Sequence, residues 1–320
     1  MKNIAIIGSG FVGKSTGKGF LRHRHNVIFS DINTGVLDEL AAQGMRTSLP
    51  QDLPVEKIDI FMFTVPTLTV DGEVDLKHVE SASKNLAELL KRKRGYFIAV
   101  MRSTVPPGTT ENIPGKTIQK VTKKKPGKDF GLVMNPEYLR QATAEKDFSN
   151  PWIAVIGSND KKAAKIIGSL YESFFCPIHY VSIREAETQK YVHNLWNASK
   201  ISFFNEMREA TRRIGINPDK IFEITMDSAE ASWNKFYGIR DRGYFDGSCL
   251  PKDTLGFLTF ARKELGFEMK ILKSVIDVNE DLRKKVLQKK EMEEPVPEKR
   301  HIPEKKFAPT SNFLQYHKSI

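Results

Sequence analysis

Three glycines near the start of the chain have the spacing of a phosphate-binding turn. Gly8, Gly10 and Gly13 form the pattern G-x-G-x-x-G directly after the apolar stretch 3–7. In such a turn the first glycine permits a tight reversal, the second lets a phosphate approach the backbone, and the third lets the following helix pack closely. That helix would direct its free N–H groups and the positive end of its dipole toward the phosphates.

The same turn fits a second motif, because G-x-x-x-x-G-K-S at residues 8–15 is the P-loop pattern of nucleotide triphosphatases. A P-loop protein also needs an acidic residue at the end of a later apolar strand, whereas the next such stretch ends at Thr64 and a proline. The second apolar stretch ends on Asp31, whose carboxylate would bind an adenosine ribose and repel the extra phosphate of NADP. We therefore predict that NAD binds here and that Lys14 matches the P-loop by chance. The predicted contacts in this turn are Gly8, Gly10, Phe11, Val12, Gly13 and Asp31.

Short apolar runs alternate with amphipathic stretches through the first half of the chain. Strands are predicted at 3–8, 26–30, 58–64, 96–102, 131–135, 152–156 and 177–180. Helices are predicted at 13–22, 33–43, 77–91 and 161–174. Strands this apolar are typical of a parallel sheet that is covered on both faces. We predict a doubly wound α/β domain of the Rossmann type over residues 1–183.

A helical region is predicted to follow, over residues 184–290. Residues 185–214 contain neither proline nor glycine and predict one helix of about eight turns. Gly215 would end that helix, and Asn217-Pro218 would begin the next one. Later helices are predicted at 218–226, 253–265 and 270–290. The charged, proline-containing residues 291–320 are predicted to form a flexible basic tail.

Composition excludes several classes of partner. No apolar run among the 320 residues approaches the length of about twenty that a membrane span needs. The net charge of +11 is concentrated in lysine runs without interleaved aromatic residues, so we expect solvated loops and no nucleic-acid partner. Cys176 and Cys249 lie far apart and form no metal or disulfide pattern, which favours a reducing cytoplasm. We expect Cys176 to be buried and Cys249 to be reactive.

Five further segments resemble the UDP-glucose/GDP-mannose dehydrogenase family, in the family's order and with near-family spacing. The cysteine segment is the most specific of them, and the resemblance extends from residue 1 to about residue 285. The segments are TVPT at 64–67, RSTVPPGT at 102–109, NPEYLR at 135–140, E-x-x-K-x-x-x-N at 187–194 and GSCLPKD at 247–253.

This resemblance implies an NAD-linked oxidation of the C6 alcohol of a UDP-glucose-like nucleotide sugar to a uronic acid. Conversion of an alcohol to an acid requires two hydride transfers, and the aldehyde formed between them must not escape. A thiolate at Cys249 would trap the aldehyde as a thiohemiacetal, which a second hydride loss converts to a thioester that water hydrolyses. Lys252 lies close in sequence and would favour the thiolate.

The resemblance also implies roles for other residues. Lys190 and Asn194 are four residues apart and share one helix face, from which both would donate hydrogen bonds to the oxyanion. Glu137 resembles the family's carboxylate that handles the proton of the alcohol or water, and Thr104 and Asp253 match residues that orient water. Further implied cofactor contacts are Val65, Pro66, Thr67, Ser103 and Thr104. A cytoplasmic homodimer that forms through the long helix is also implied.

Two departures from the family pattern concern the site. Gln141 replaces a second glutamate, and a neutral amide cannot act as a base. Thioester hydrolysis would stall if that position supplied the base, but not if Glu137 does. Tyr244 and Asp246 replace glycines before the cysteine, which predicts an altered sugar pocket.

A third departure concerns the nucleotide-binding half of the substrate site. Family members continue into another α/β domain, whereas this chain has the linking segment 274–279 followed by too few residues for such a domain. We expect either a partner chain that completes the site or an impaired enzyme. The alternatives are a non-catalytic NAD-binding dimer and a β-hydroxyacid dehydrogenase, although the segment 247–253 argues against the latter.

Overall fold

The computed structural model describes residues 1–140, 142–235, 237–238, 244–247 and 249–293. Internal contacts divide the chain into two compact units, Met1–Ser199 and Lys200–Ile320. The predicted domain boundary at residue 183 stays a prediction, since this division falls later, within a long helix.

The first unit is built on an eight-stranded sheet. In chain order its strands are β1 (Asn3–Ile7), β2 (Asn26–Ser30), β3 (Arg46–Ser48), β4 (Ile60–Phe63), β7 (Phe97–Met101), β8 (Phe130–Met134), β9 (Ala154–Gly157) and β10 (Ile178–Val181). The labels β5 and β6 belong to a separate two-stranded sheet at 69–70 and 73–74. The spatial order is β10-β9-β8-β7-β4-β1-β2-β3. Six neighbouring strands of this sheet, in the spatial order β8-β7-β4-β1-β2-β3, are parallel to one another and follow the doubly wound order. This arrangement confirms the predicted fold class.

Two strands, β9 and β10, depart from the predicted parallel arrangement. β9 runs antiparallel to β8, with Met134 opposite Gly157, and β10 runs parallel to β9. The connection 135–153 therefore stays at the carboxyl edge of the sheet instead of crossing back over it. An apolar run reports that a strand is buried but not its direction, which is why the sequence did not reveal this reversal.

Helices cover both faces of the sheet and create two cores. The first-unit helices are α1 (Phe11–Arg22), α2 (Thr34–Ala42), α3 (Lys77–Leu90), α4 (Lys116–Thr122), α5 (Ala144–Ser149) and α6 (Lys161–Ser169). Alternate residues of β4 enter opposite cores, since Phe61 and Phe63 join one cluster while Ile60 and Met62 join the other. All four are fully buried, as the apolar run predicted.

Several short elements were missing from the sequence prediction. They are β3, the antiparallel pair β5 (Thr69–Val70) and β6 (Glu73–Val74), a π-helical turn at Glu111–Gly115, α4 and α5. The lysine-rich stretch 116–128, expected to be a solvated loop, contains helix α4, because Ile118 is fully buried and anchors that helix to the core.

The described part of the second unit is helical, as predicted. The long helix α7 (Ile183–Arg213) crosses the division, and α8 (Pro218–Ser228), α9 (Glu230–Trp233), α10 (Leu250–Glu264) and α11 (Lys270–Glu293) follow it. Ala210, Ala261, Met269 and Leu272 form a small core. Of the predicted tail, residues 294–320 lie outside the described residues.

No helix in the described part of the chain is both long and apolar enough to cross a membrane.

We predict that Gly19→Ala destabilises the first unit. A Cβ at Gly19 of α1 would lie 2.0 Å from Cδ1 of Phe148 on α5, so the ring would have to move. Overpacking of this kind costs about 1–3 kcal/mol of unfolding free energy. The matched control is Gly256→Ala on α10, where a Cβ meets no atom within 4 Å and the loss of a helical glycine should stabilise by about 0.5–1 kcal/mol. Thermal unfolding of both variants checks this, and equal midpoints would contradict it.

Candidate functional site

The glycine turn between β1 and α1 has the geometry that its sequence predicted. Gly8 has φ +90°, and a Cβ there would lie 2.9 Å from the backbone nitrogen of Val65. A Cβ on Gly13 would lie 2.1 Å from the carbonyl oxygen of Gly8, so only glycine lets α1 pack this closely. Above Gly10 a Cβ would meet nothing within 4 Å. That open space is where a pyrophosphate would approach the backbone.

Asp31 lies at the end of β2, facing the turn. Its two carboxylate oxygens accept hydrogen bonds from the backbone N–H of Ser9, at 2.6 Å, and of Asn33, at 2.9 Å. Lys14, the residue that suggested a P-loop, instead forms an ion pair with Glu39 of α2 at 2.5 Å. The turn therefore presents a carboxylate for a ribose, which favours a dinucleotide site over a P-loop.

A cleft of about 630 Å³ runs along the carboxyl edge of the sheet beside this turn. Of the predicted cofactor contacts it includes Gly8, Gly10, Phe11, Val12, Asp31, Val65, Pro66, Thr67, Ser103 and Thr104. Gly13 is absent from the lining, because it packs beneath the turn against β1.

One wall of the cleft was not predicted. It is formed by one face of α3, including His78, Ser81, Ala82 and Asn85. The amphipathic pattern of this stretch predicted a helix but carried no sign that its partly polar face borders a ligand site. Glu137 also lines the cleft, so the predicted proton-handling carboxylate reaches the dinucleotide site.

Two hydrogen bonds join the loops that follow β4 and β7. The Thr67 hydroxyl donates to the carbonyl oxygen of Thr104 at 2.8 Å, and the Ser103 hydroxyl donates to that of Val65 at 2.6 Å. These bonds hold the two predicted contact segments together at the same edge of the sheet.

A nearly buried ion pair lies next to the cleft. The Lys190 ammonium of α7 is 3.2 Å from Glu137 Oε1, and these side chains are 5% and 14% exposed. The same ammonium donates to the main-chain oxygen of Glu137 at 2.5 Å. The other carboxylate oxygen of Glu137 accepts from the backbone N–H of Leu139 at 2.6 Å. The structure thus brings together Glu137 and Lys190, which are 53 residues apart in the chain.

Three further side chains surround this pair and were missed by the sequence analysis. The Tyr138 hydroxyl donates to the side-chain oxygen of Gln189, and its ring meets the His193 ring edge-on with centroids 4.9 Å apart. Burial raises the pKa of Tyr138 and lowers the pKa of His193, which the nearby Lys190 ammonium lowers further. At neutral pH both side chains are therefore uncharged.

The strand end that carries Glu137 is anchored by a buried polar cluster. Arg102 is 3% exposed, and its Nη1 donates to the Asn135 side-chain oxygen and, at 2.7 Å, to the Tyr171 hydroxyl. Asn135 in turn donates to the carbonyl oxygen of Val155 at 2.8 Å. These bonds join β7, β8 and β9 directly below the NPEYLR segment.

Beyond Glu137 the same segment is held by a second ion pair. Arg140 donates to Asp147 through its backbone, Nε and Nη2 nitrogens. The Arg140 side chain holds the pKa of the Asp147 carboxyl well below its usual range. Gln141 lies outside the described residues, so its predicted departure from the family pattern stays a prediction.

The remaining predicted catalytic residues occupy less enclosed positions. Asn194 is exposed on α7, one turn beyond Lys190. Cys249 is exposed at the N-cap of α10, and the first turn of that helix carries Lys252 and Asp253, paired at 2.5 Å. Cys176 is half-buried, and burial raises the pKa of its thiol, in keeping with an unreactive cysteine.

The segment before Cys249 is tethered within the second unit. Gly247 has φ +92°, which favours glycine in the turn that leads to the cysteine. The Asn279 side chain of α11 accepts from the backbone N–H of Phe245 at 2.7 Å and donates to its carbonyl oxygen at 3.0 Å. The substituted positions Tyr244 and Asp246 flank this anchor, and Ser248 lies outside the described residues.

A doubly wound sheet with this glycine turn, acidic strand end and carboxyl-edge cleft defines a dinucleotide-binding protein of the Rossmann type. Two family models match the chain: the NAD binding domain of the UDP-glucose/GDP-mannose dehydrogenase family over residues 45–175, and the central domain over residues 184–281. The chain belongs to the UDP-glucose/GDP-mannose dehydrogenase family, and the cofactor of its first domain is NAD.

Individual relatives agree with this assignment. A GDP-mannose 6-dehydrogenase from Pseudomonas savastanoi is 30% identical over 86% of this chain and 67% of its own length. A UDP-glucose 6-dehydrogenase from Bacillus subtilis is 34% identical over 90% of this chain and 65% of its own length. The chain thus spans about two thirds of these relatives. Among solved structures, a ternary complex of GDP-mannose dehydrogenase from Pseudomonas aeruginosa superposes with a TM-score of 0.84 at 29% identity, covering 91% of this chain and 71% of that one.

We predict that Asp31→Asn weakens NAD binding about tenfold while raising the relative affinity for NADP, because the amide carries no charge to repel the extra phosphate. Fluorescence titration with NADH and NADPH measures both affinities. Asp38→Asn on the exposed face of α2 is the matched control and should leave both unchanged. An unaltered ratio of the two affinities in Asp31→Asn would contradict the assigned role.

Proposed function

We propose that the protein oxidises the C6 alcohol of a UDP-glucose-like nucleotide sugar to the uronic acid, with NAD as the oxidant. The observation that carries this proposal is the nearly buried Glu137–Lys190 pair beside the dinucleotide cleft. Relatives named as GDP-mannose 6-dehydrogenase and UDP-glucose 6-dehydrogenase support this substrate class.

The first oxidation requires the loss of a hydroxyl proton and of a hydride from C6. The Glu137 carboxylate is available as the proton acceptor, since it lines the cleft and Lys190 holds it in place. A bound NAD would accept the hydride of this oxidation, and a second NAD, bound after release of the first NADH, would accept the hydride of the next one. The open backbone at Gly10 and the Asp31 carboxylate would hold the cofactor's pyrophosphate and ribose.

The second oxidation proceeds on the enzyme's own cysteine. The Cys249 thiolate adds to the aldehyde carbon and forms a thiohemiacetal, whose oxyanion accepts hydrogen bonds from Lys190 and Asn194. Loss of a hydride from that carbon gives a thioester. Water, oriented by Thr104 and Asp253, then breaks the carbon–sulfur bond, releasing the acid and the thiol. Lys252 lies three residues from Cys249, in the first turn of α10.

A cytoplasmic homodimer belongs to the same proposal. Large apolar side chains on α7 support the dimer, because Val192, Leu195, Trp196 and Ile201 are each about 60% exposed. Light scattering of the purified chain should give twice the monomer mass of 36.4 kDa.

The stoichiometry of NADH tests the reaction. We expect two NADH per nucleotide sugar consumed when the protein meets NAD and a panel that contains UDP-glucose and GDP-mannose. Cys249→Ala should lower the rate of acid formation by about 10³-fold or more, whereas Cys176→Ser should not change it. A yield of one NADH would indicate a hydroxyacid-type dehydrogenase, and no NADH with intact NAD binding would indicate a non-catalytic binding protein.

A separate variant tests the proton acceptor. Glu137→Gln keeps the size of the side chain but removes its basicity, so kcat should fall by about 10²–10⁴-fold. The dissociation constant of NAD, measured by titration, should change by less than about threefold, since dinucleotide binding rests mainly on the glycine turn and Asp31. Glu172→Gln at an exposed position is the control. A kcat within a factor of two of wild type would remove Glu137 from the mechanism.

A further inference from the structure

Glu187 is a fully buried carboxylate in the first turns of α7. Its two oxygens accept hydrogen bonds from the backbone N–H groups of Gly108, at 2.5 Å, and Thr110, at 2.8 Å. These amides lie at the start of the helical stretch that follows the RSTVPPG loop, where the positive end of a helix dipole favours an anion. Burial of an anion costs free energy unless hydrogen bonds satisfy it. The Glu187 carboxylate is therefore stable in this position only while it bonds to these two amides.

Glu187 shares its helix face with Lys190. Ile183, Ala186, Glu187 and Lys190 are buried, while the intervening Arg184, Glu185 and Thr188 are exposed. The spacing of three and four residues places the buried side chains along one stripe that packs against the sheet unit. One helix face therefore contacts both the loop that carries Thr104 and the loop that carries Glu137.

The two contacts on this face differ in kind. Ile183 and Ala186 make apolar contacts, which are non-directional and restrain rotation of a helix about its axis only weakly. The paired bonds from Glu187 are directional and restrain both the rotation and the axial position of α7. Lys190 lies less than one turn further along, and its ammonium must remain within reach of Glu137.

We propose that Glu187 is a positioning residue: it sets α7 relative to the RSTVPPG loop, and so holds Lys190 on Glu137 and Thr104 at the same site. The consequence for catalysis rests on the proposed function, because a misplacement of about 1 Å costs as much as 10²-fold in rate. Glu187 itself touches neither cofactor nor substrate in this scheme.

Glu187→Gln tests the proposal with little change in volume. The amide keeps one acceptor oxygen but directs its NH₂ group at a backbone N–H, so one of the two bonds is lost. We expect kcat to fall about 10–100-fold while KM and the NAD dissociation constant stay within twofold. Glu185→Gln is the control, since Glu185 is exposed on the same turn and bonds only locally, to the Ser182 backbone N–H. A kcat within twofold of wild type overturns the proposal.

Amide hydrogen exchange provides a readout that needs no turnover. In Glu187→Gln, peptides covering residues 106–112 and 134–140 should both exchange at least about tenfold faster, while a peptide covering residues 3–10 is unchanged. Faster exchange at 106–112 alone would mean a local cap that does not position Lys190, and would overturn the proposal. If the wild-type chain oxidises no nucleotide sugar, the proposed function fails, whereas the exchange result still decides the role of Glu187.

A second variant covers the case in which Glu187→Gln does not fold. Glu187→Asp keeps the charge, but its side chain is one methylene shorter. We therefore expect its carboxylate to keep only one of the two hydrogen bonds to the amides of Gly108 and Thr110. Its kcat and its exchange at 134–140 should lie between those of wild type and Glu187→Gln. Wild-type values for both in a folded Glu187→Asp protein would count against positioning by the paired bonds.

Discussion

The contact between Lys190 of α7 and Glu137 after β8 depends on several separate elements of the first unit. Two opposite charges, 5% and 14% exposed, meet at 3.2 Å. Neither would be stable there alone, because an unpaired buried charge costs several kcal/mol. The pair exists only because β8 ends just before Glu137 and because the first turns of α7 pack against the sheet. The ion pair therefore requires that the end of β8 and the packed face of α7 meet at the same place.

The reversed strand β9 contributes to the same constraint. Because β9 runs antiparallel to β8, the NPEYLR segment between them remains at the carboxyl edge, where open α/β sheets bind their ligands. The Arg102–Asn135–Tyr171 cluster fixes the base of this segment, and Asp147 holds Arg140 near its far end. The Glu137 carboxylate thus lies on a segment that side-chain hydrogen bonds fix at both ends.

The cleft and the ion pair share the loops at the carboxyl edge of the sheet. The hydroxyls of Thr67 and Ser103 join the loops after β4 and β7, and Glu137 borders the cleft that these loops line. In the second unit the cysteine segment is held in a comparable way, through the buried Asn279 amide. Each unit therefore holds its own segment of predicted site residues with partly buried hydrogen bonds between side chains and the backbone.

Features that depend only on neighbouring residues could be predicted from the amino-acid sequence. The glycine turn, Asp31 at a strand end, the apolar strands and the long helix α7 all follow from patterns within a few residues, because turn geometry and helix periodicity are local properties. Segment similarity also identified the family, including the cysteine at the start of α10. These predictions cover the fold class, the cofactor and eleven of the 26 residues that line the cleft.

The contacts between distant segments could be seen only in the three-dimensional structure. Contacts between residues far apart in the chain determine four features. They are the direction of β9, the cleft wall formed by α3, the partners of Lys190 and of Glu187, and the helix in the lysine-rich stretch. Glu187 and Gly108 are 79 residues apart, and no periodicity relates them. Such pairs form because a buried polar group without a partner is costly, and the available partner is set by packing of the whole unit.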